Sequence, residues 1–255
     1  MRSLKITLSY DGTDYSGWQV QPGARTVQAA VEAALQQVTG ARVRVAASGR
    51  TDAGVHALGQ VVSLATESRL AGGTLERACN ATLPRDIAVH AVEEAPGDFH
   101  ARRDAVQKRY EYRIHNHPVA DVFRRRYTWH VAAPLDVDAM ARAAQGLTGE
   151  HDFCGFEATG APRKTTVRTV RELTVGQGRG AAEDEIRIAI QANGFLYKMV
   201  RNIVGTLVEV GRGARAESWP IEVLAGRDRR RGGPTAPAQG LFLVRVEYRG
   251  RKVEG

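Results

Sequence analysis

A two-residue alternation of apolar and polar side chains recurs along this chain in short stretches, and it limits the fold more than any other feature. Leu4 to Tyr10 alternates and stops at Asp11-Gly12, a turn signal. Arg42 to Ala47 alternates again, and Arg109 to Ile114 does so strictly, with Tyr110, Tyr112 and Ile114 on one face and Arg109, Glu111 and Arg113 on the other. Gln60 to Ala65, Ile87 to Val92, Val167 to Val175, Glu185 to Ala192 and Leu241 to Tyr248 also read as strands, and Ile186, Ile188 and Ile190 share a face.

Helical periods separate these strands. Val27, Ala30, Val31, Ala34, Leu35 and Val38 are helically spaced between Thr26, which fits an N-cap, and Gly40, a stop. Thr74 to Leu83, Asp136 to Leu147 and Leu196 to Val210 read as further helices. The first half therefore runs β-α-β-loop-β-α-β, resembling a split βαβ unit that sets helices on one face of an antiparallel sheet. The second half repeats that grammar loosely. At 255 residues the chain has room for one large or two small domains. We divide it into an N-terminal α/β domain, 1–105, and a C-terminal α/β domain, 106–255.

Composition narrows the function classes. A chain 43% hydrophobic and 25% charged is ordinary globular protein, not a disordered one. No run approaches the ~18 consecutive apolar residues of a membrane span, and the N-terminus lacks the apolar core of a signal peptide. Cys79 and Cys154 cannot make a disulfide framework. A cytoplasmic protein with no membrane partner is expected. The net charge is +8, and of 36 basic residues five are Lys, leaving 31 Arg. Arginine grips phosphates bidentately and stacks on bases, so a nucleic acid leads the candidate partners. A GC-rich genome would account for the Arg/Lys ratio, though less well for the excess of charge.

The polar loop Ser48-Gly49-Arg50-Thr51-Asp52-Ala53-Gly54-Val55-His56-Ala57 is the most informative segment. It places an acid, an Arg, a His and two glycines between strands, where backbone can approach a ligand closely. Asp52-Ala53-Gly54 alone would be explained by a plain turn. Two other segments carry no chemistry: His115-Asn116-His117 lacks metal-ligand spacing, and Gly176-Gln177-Gly178-Arg179-Gly180 joins two strands instead of opening a helix. No metal is expected.

Taken together, six ordered motifs resemble the tRNA pseudouridine synthase A family over nearly the whole chain. They are Tyr10-Asp11-Gly12-Thr13-Asp14-Tyr15-Ser16-Gly17-Trp18-Gln19, Gly49 to Ala57, Phe99-His100-Ala101-Arg102, Lys108-Arg109-Tyr110-Glu111-Tyr112, Asn193 to Asn202, and Thr235-Ala236-Pro237-Ala238-Gln239-Gly240-Leu241. The departures, at Gln239, Tyr197 and Lys198, remove no proposed reactive group.

The resemblance implies an α/β (α+β) fold of two ferredoxin-like, RRM-like halves whose antiparallel sheets merge around a central cleft, with helices outside. It implies conversion of uridine to pseudouridine in tRNA, at positions 38, 39 and 40 of the anticodon stem-loop, without a cofactor and in a homodimer. Asp52 is then the catalytic aspartate, and Arg201 the guanidinium that keeps it ionised. Tyr110 is the ring that stacks on the uracil and assists proton transfer, although periodicity cannot separate it from Tyr112. Arg50, His56 and Arg102 are further substrate-binding candidates. The basic surface, with Arg102, Arg103, Lys108, Arg109 and Arg124 to Arg126, would read RNA shape and phosphates. A non-catalytic RNA binder on this scaffold is one rival. The other is a hydrolase joining Asp52 to a second carboxylate, Asp86 or Glu111.

Overall fold

The computed structural model describes residues 1–160, 165–178 and 183–249. In chain order its elements are β1 (Arg2–Tyr10), α1 (Val27–Thr39), β2 (Ala46–Ala47), β3 (His56–Thr66), α2 (Gly72–Thr82), β4 (Ile87–Ala95) and β5 (Ala105–Asn116). There follow β6 (Trp129–Val131), α3 (Val137–Gln145), β7 (Gly149–Asp152), β8 (Val167–Gln177), β9 (Glu185–Ala192), α4 (Met199–Gly211), α5 (Trp219–Gly226) and β10 (Leu241–Tyr248). The fold is mixed α+β with mainly antiparallel strands. It separates into two compact units, Met1–Val106 with the chain from Leu243 onward, and Gln107–Phe242. Arg179 and Gly180 of the glycine-rich segment between β8 and β9 lie outside the described residues.

In the first unit the strands run β4-β1-β3, with β2 on β3 and β10 beside β3. The order β4-β1-β3-β2 with two helical crossovers is that of a split βαβ unit. The alternation of β1 becomes burial: Leu4, Ile6, Leu8 and Tyr10 are buried and their neighbours are not. Val27, Val31 and Leu35 from α1, with Leu75 and Cys79 from α2, complete the core. Thr26 occupies the N-cap of α1 in extended backbone, but its side chain makes no cap bond. The helix start is satisfied instead by preceding backbone, Val27 N–H donating to the Gly17 carbonyl at 3.2 Å and Gln28 N–H to that of Trp18 at 2.9 Å. Of the strand expected over 42–47, only Ala46 and Ala47 pair, with Ser63 and Val62. Val43 and Val45 are nevertheless buried, so the alternation there reports burial without a ladder.

In the second unit the order is β5-β9-β8-β7, antiparallel, with the short β6 parallel to β5. Tyr110, Tyr112 and Ile114 face inward, as do Ile186, Ile188 and Ile190 from the paired β9. Asp136 caps α3, its carboxylate accepting from Ala139 N–H at 2.8 Å. Helix α4 begins at Met199, three residues later than its apolar pattern suggests. Lys198 adopts a left-handed conformation (φ 57°), which ends any helix running into it. A non-glycine residue held there carries strain on the order of 1 kcal/mol. Among the described residues no helix is long and apolar enough to cross a membrane.

Candidate active site

Two of the motifs interlock within the first unit. Trp18 N–H donates to the Thr51 carbonyl at 3.0 Å, and Gly12 N–H donates to His56 Nδ1 at 3.1 Å. Gly17 sits at φ +87°, and a Cβ there would stand 2.8 Å from the Thr51 carbonyl oxygen, so the close approach requires glycine. Between these anchors Asp52 heads a tight turn closed by Val55 N–H donating to its carbonyl at 3.1 Å. Its side chain is half-buried while its neighbours Thr51 and Val55 are buried. The loop's inner side is polar and satisfied. Tyr10 and Thr51 share a hydroxyl–hydroxyl bond of 2.8 Å, Ser48 Oγ donates to Gln60 Oε1 at 2.7 Å, and Gln60 Nε2 donates to the Gly49 carbonyl at 2.9 Å. Burial pushes the Tyr10 phenol up to about 12, against the pull of its bonds to Thr51 and Gln60. A loop pinned in this way holds a carboxylate in one place at little further entropic cost.

His56 opens β3 and is buried, its Nδ1 also lying 3.1 Å from Asp11 Oδ1. Arg50 is exposed on the loop. Arg102 is exposed too, in a turn where its N–H donates to His100 Nδ1 at 3.1 Å. Asp86 has partners of its own: the Tyr15 hydroxyl donates to it at 2.5 Å and Arg25 pairs with it at 2.8 Å.

In the second unit Tyr110 lies on β5 and meets Phe195 edge-to-face, with centroids 5.0 Å apart and planes at 84°. Tyr112, two residues on, is fully buried, and its hydroxyl donates to the Pro237 carbonyl at 2.7 Å. Burial holds its phenol well above the usual range, while the Arg201 charge pulls the other way. Arg201 projects from α4. It and Glu209 are the half-buried positions of a helix whose other residues are all buried. Its Nε donates to the Ala236 carbonyl at 2.7 Å, and Ala236 N–H returns to the Arg201 carbonyl at 3.1 Å.

Two arginines of the basic surface are committed to carboxylates. Arg124 bonds Asp121 at 2.7 Å and Asp184 at 2.5 and 2.9 Å, and Arg109 bonds Glu172 at 2.6 Å. Asp121 is only three residues from Arg124, but Asp184 and Glu172 lie 60 and 63 residues from their arginines, beyond any local pattern. Glu111 pairs with Arg113 at 2.8 Å. Among the described residues no group of three or more His, Cys, Asp or Glu side chains is arranged to hold a metal ion.

Comparisons with known proteins give the chain's family. A profile described as tRNA pseudouridine synthase matches residues 6–104 and 143–249. A tRNA pseudouridine synthase A of Moorella thermoacetica is 52% identical over 251 residues, spanning 97% of this chain and 100% of the relative. The protein of that name in Brevibacillus brevis is 50% identical, covering 97% and 100%. That of Myxococcus xanthus is 47% identical, covering 98% and 93%. At this identity and coverage the chain belongs to the tRNA pseudouridine synthase family, isomerases that act on uridine in tRNA.

Proposed function

We propose that this isomerase converts uridine to pseudouridine at positions 38, 39 and 40 of the tRNA anticodon stem-loop, with Asp52 as its catalytic carboxylate and no cofactor or metal. The reaction breaks the N1–C1′ bond, turns the uracil and joins C5 to C1′. The C5 proton leaves to solvent and N1 gains one, so atoms balance without a co-reactant. An ionised carboxylate beside the sugar serves this chemistry either as nucleophile at C1′ or as base toward a ribose proton. Arg201 is assigned as the guanidinium that favours its charged form.

The observation that carries the reading is the double anchoring of the Asp52 turn by the Tyr10–Gln19 segment. Tyr110 is preferred to Tyr112 as the ring that meets the base, because Tyr112 is fully buried with its hydroxyl already donated to Pro237. Arg50 and Arg102, both exposed, suit contact with RNA backbone, and His56 supports the loop that presents the site. The target uridine leaves its stack to react, at a cost of a few kcal/mol offset by pocket contacts. The reading includes a homodimer working in the cytoplasm.

Unmodified tRNA carrying tritium at uridine C5 tests it. The protein alone should release tritium to water and yield no free uracil, and Asp52→Asn should bind tRNA yet release none. Free uracil would mean a glycosidase, binding without release would mean a binder, and turnover by Asp52→Asn would move the reactive group elsewhere.

A further inference from the structure

We propose that the segment Gly233–Gln239 is a positioning strap for the Arg201 guanidinium, and that Thr235, Asn202 and Tyr112 are positioning residues of the isomerisation. The proposal rests on the reading that assigns Arg201 to keeping the catalytic carboxylate ionised.

The strap is pressed onto α4 more closely than ordinary packing allows. A Cβ at Gly205 would stand 1.7 Å from the Pro234 carbonyl oxygen, so backbone lies directly on backbone. Gly233 N–H donates to Thr206 Oγ1 at 3.0 Å. One turn earlier on the helix, fully buried Asn202 receives the Thr235 hydroxyl at 2.7 Å and Arg229 at 3.0 Å, while its own amide donates to the Phe156 carbonyl at 2.8 Å. Arg229 also reaches Thr235 Oγ1 at 3.2 Å. From the β5 side the Tyr112 hydroxyl donates to Pro237 at 2.7 Å. Ala236, between Thr235 and Pro237, exchanges two bonds with Arg201: its carbonyl takes Nε–H and its N–H goes to the Arg201 carbonyl.

A guanidinium is planar, with its donors in a fixed fork. Holding Nε on an immobile carbonyl therefore sets the plane of the group and the direction of its terminal nitrogens. An arginine side chain otherwise loses much of its rotamer freedom in any bond it makes. A strap held from both sides removes that freedom before substrate arrives. Apolar contacts alone would hold the strap on the helix. A connected buried polar network is costly unless every member is satisfied, and it fixes a unique geometry when it is. Here Asn202 and Ala236 are buried, Thr235 and Arg229 are half-buried, and the strap passes this geometry to Arg201 through the Ala236 carbonyl.

Thr235→Val keeps the shape and removes the hydroxyl, and Tyr112→Phe releases the strap from its other side. In the tritium-release assay each should lower kcat roughly ten- to a hundredfold, with KM for tRNA within about twofold. Thr235→Ser should restore most of the rate. Because a misdirected guanidinium favours the ionised carboxylate less, the acid limb of the kcat–pH profile should move to higher pH in both variants. Wild-type kcat and pH profile in well-folded Thr235→Val and Tyr112→Phe would overturn the strap's role. A loss that follows thermal stability alone, with the pH profile unmoved, would overturn it equally. Arg201→Met separates the two readings: if it is inactive while Thr235→Val is normal, only the strap fails, and if it is active, the assignment of Arg201 itself fails.

Discussion

Tyr10 and Thr51 join hydroxyl to hydroxyl at 2.8 Å in buried surroundings, tying the end of the first strand to the residue that precedes Asp52. Tyr10 also lies 3.4 Å from Gln60 Nε2, whose amide holds the Gly49 carbonyl, so one phenol ties the stretch just before Asp52 to β1 and β3. Tyr10→Phe keeps the ring and strands the Thr51 hydroxyl. We expect a loss of about 1 kcal/mol of stability in urea denaturation and a several-fold fall in kcat with KM unchanged. A variant matching the wild type in both would show that the loop does not depend on this bond.

High pH should weaken the protein in a defined window. Burial raises the Tyr10 phenol from 10.0 to about 12 and also holds Tyr15, Tyr112 and Tyr248 above their ordinary range. The native state thus favours the neutral phenol. That contribution is present in full below pH 10.0, the unfolded value, and for Tyr10 it is lost as pH rises to about 12. Unfolding free energy should fall from pH ~10 upward, and phenolate absorbance should rise later in native than in denatured protein. Coincident titration curves would contradict the assignment.

Gly205→Ala should reverse the usual sign of a helix substitution. Alanine in a helix interior is normally better than glycine by about 1 kcal/mol. Here the new methyl would meet the Pro234 carbonyl at 1.7 Å and push the strap away from α4. We expect a net destabilisation of about 1–3 kcal/mol, read by thermal unfolding, together with reduced kcat. A stabilised variant would mean that the strap yields freely.

Arg201→Met and Arg124→Met remove the same charge with different consequences. Arg124 is occupied by Asp121 and Asp184, so its loss should leave kcat within a few-fold while Arg201→Met abolishes turnover. Arg124 bonding also holds the Asp184 carboxyl below its usual range. Its stabilising contribution is present above pH 3.8, the ordinary carboxylate value, and lost as pH falls below it. Arg124→Met should accordingly flatten the acid limb of stability. Equal, mild losses of activity in the two variants would remove Arg201 from the mechanism.

Much of the fold was legible because its causes are local. Alternation located Glu185–Ala192 and Leu241–Tyr248 to the residue, and helical spacing with Gly40 at φ 73° bounded α1. The short β6, β7 and α5 escaped, since three to eight residues carry too little periodic signal. The start of α4 was displaced because Lys198 turns left-handed, which its side chain does not announce.

For the candidate site, the sequence by itself determined which residue types occur in which ordered motifs, and with them the family and the chemistry to expect. Only the tertiary structure decided which polar group each side chain meets. Nothing in the alternation of β5 separates Tyr110 from Tyr112, yet Tyr112 alone is seen to spend its hydroxyl on Pro237, 125 residues away, and Arg201 finds Ala236 across 35 residues. Period and propensity act between near neighbours in the chain, whereas these bonds run from a side chain to a distant backbone carbonyl that only the packed core brings within 3 Å.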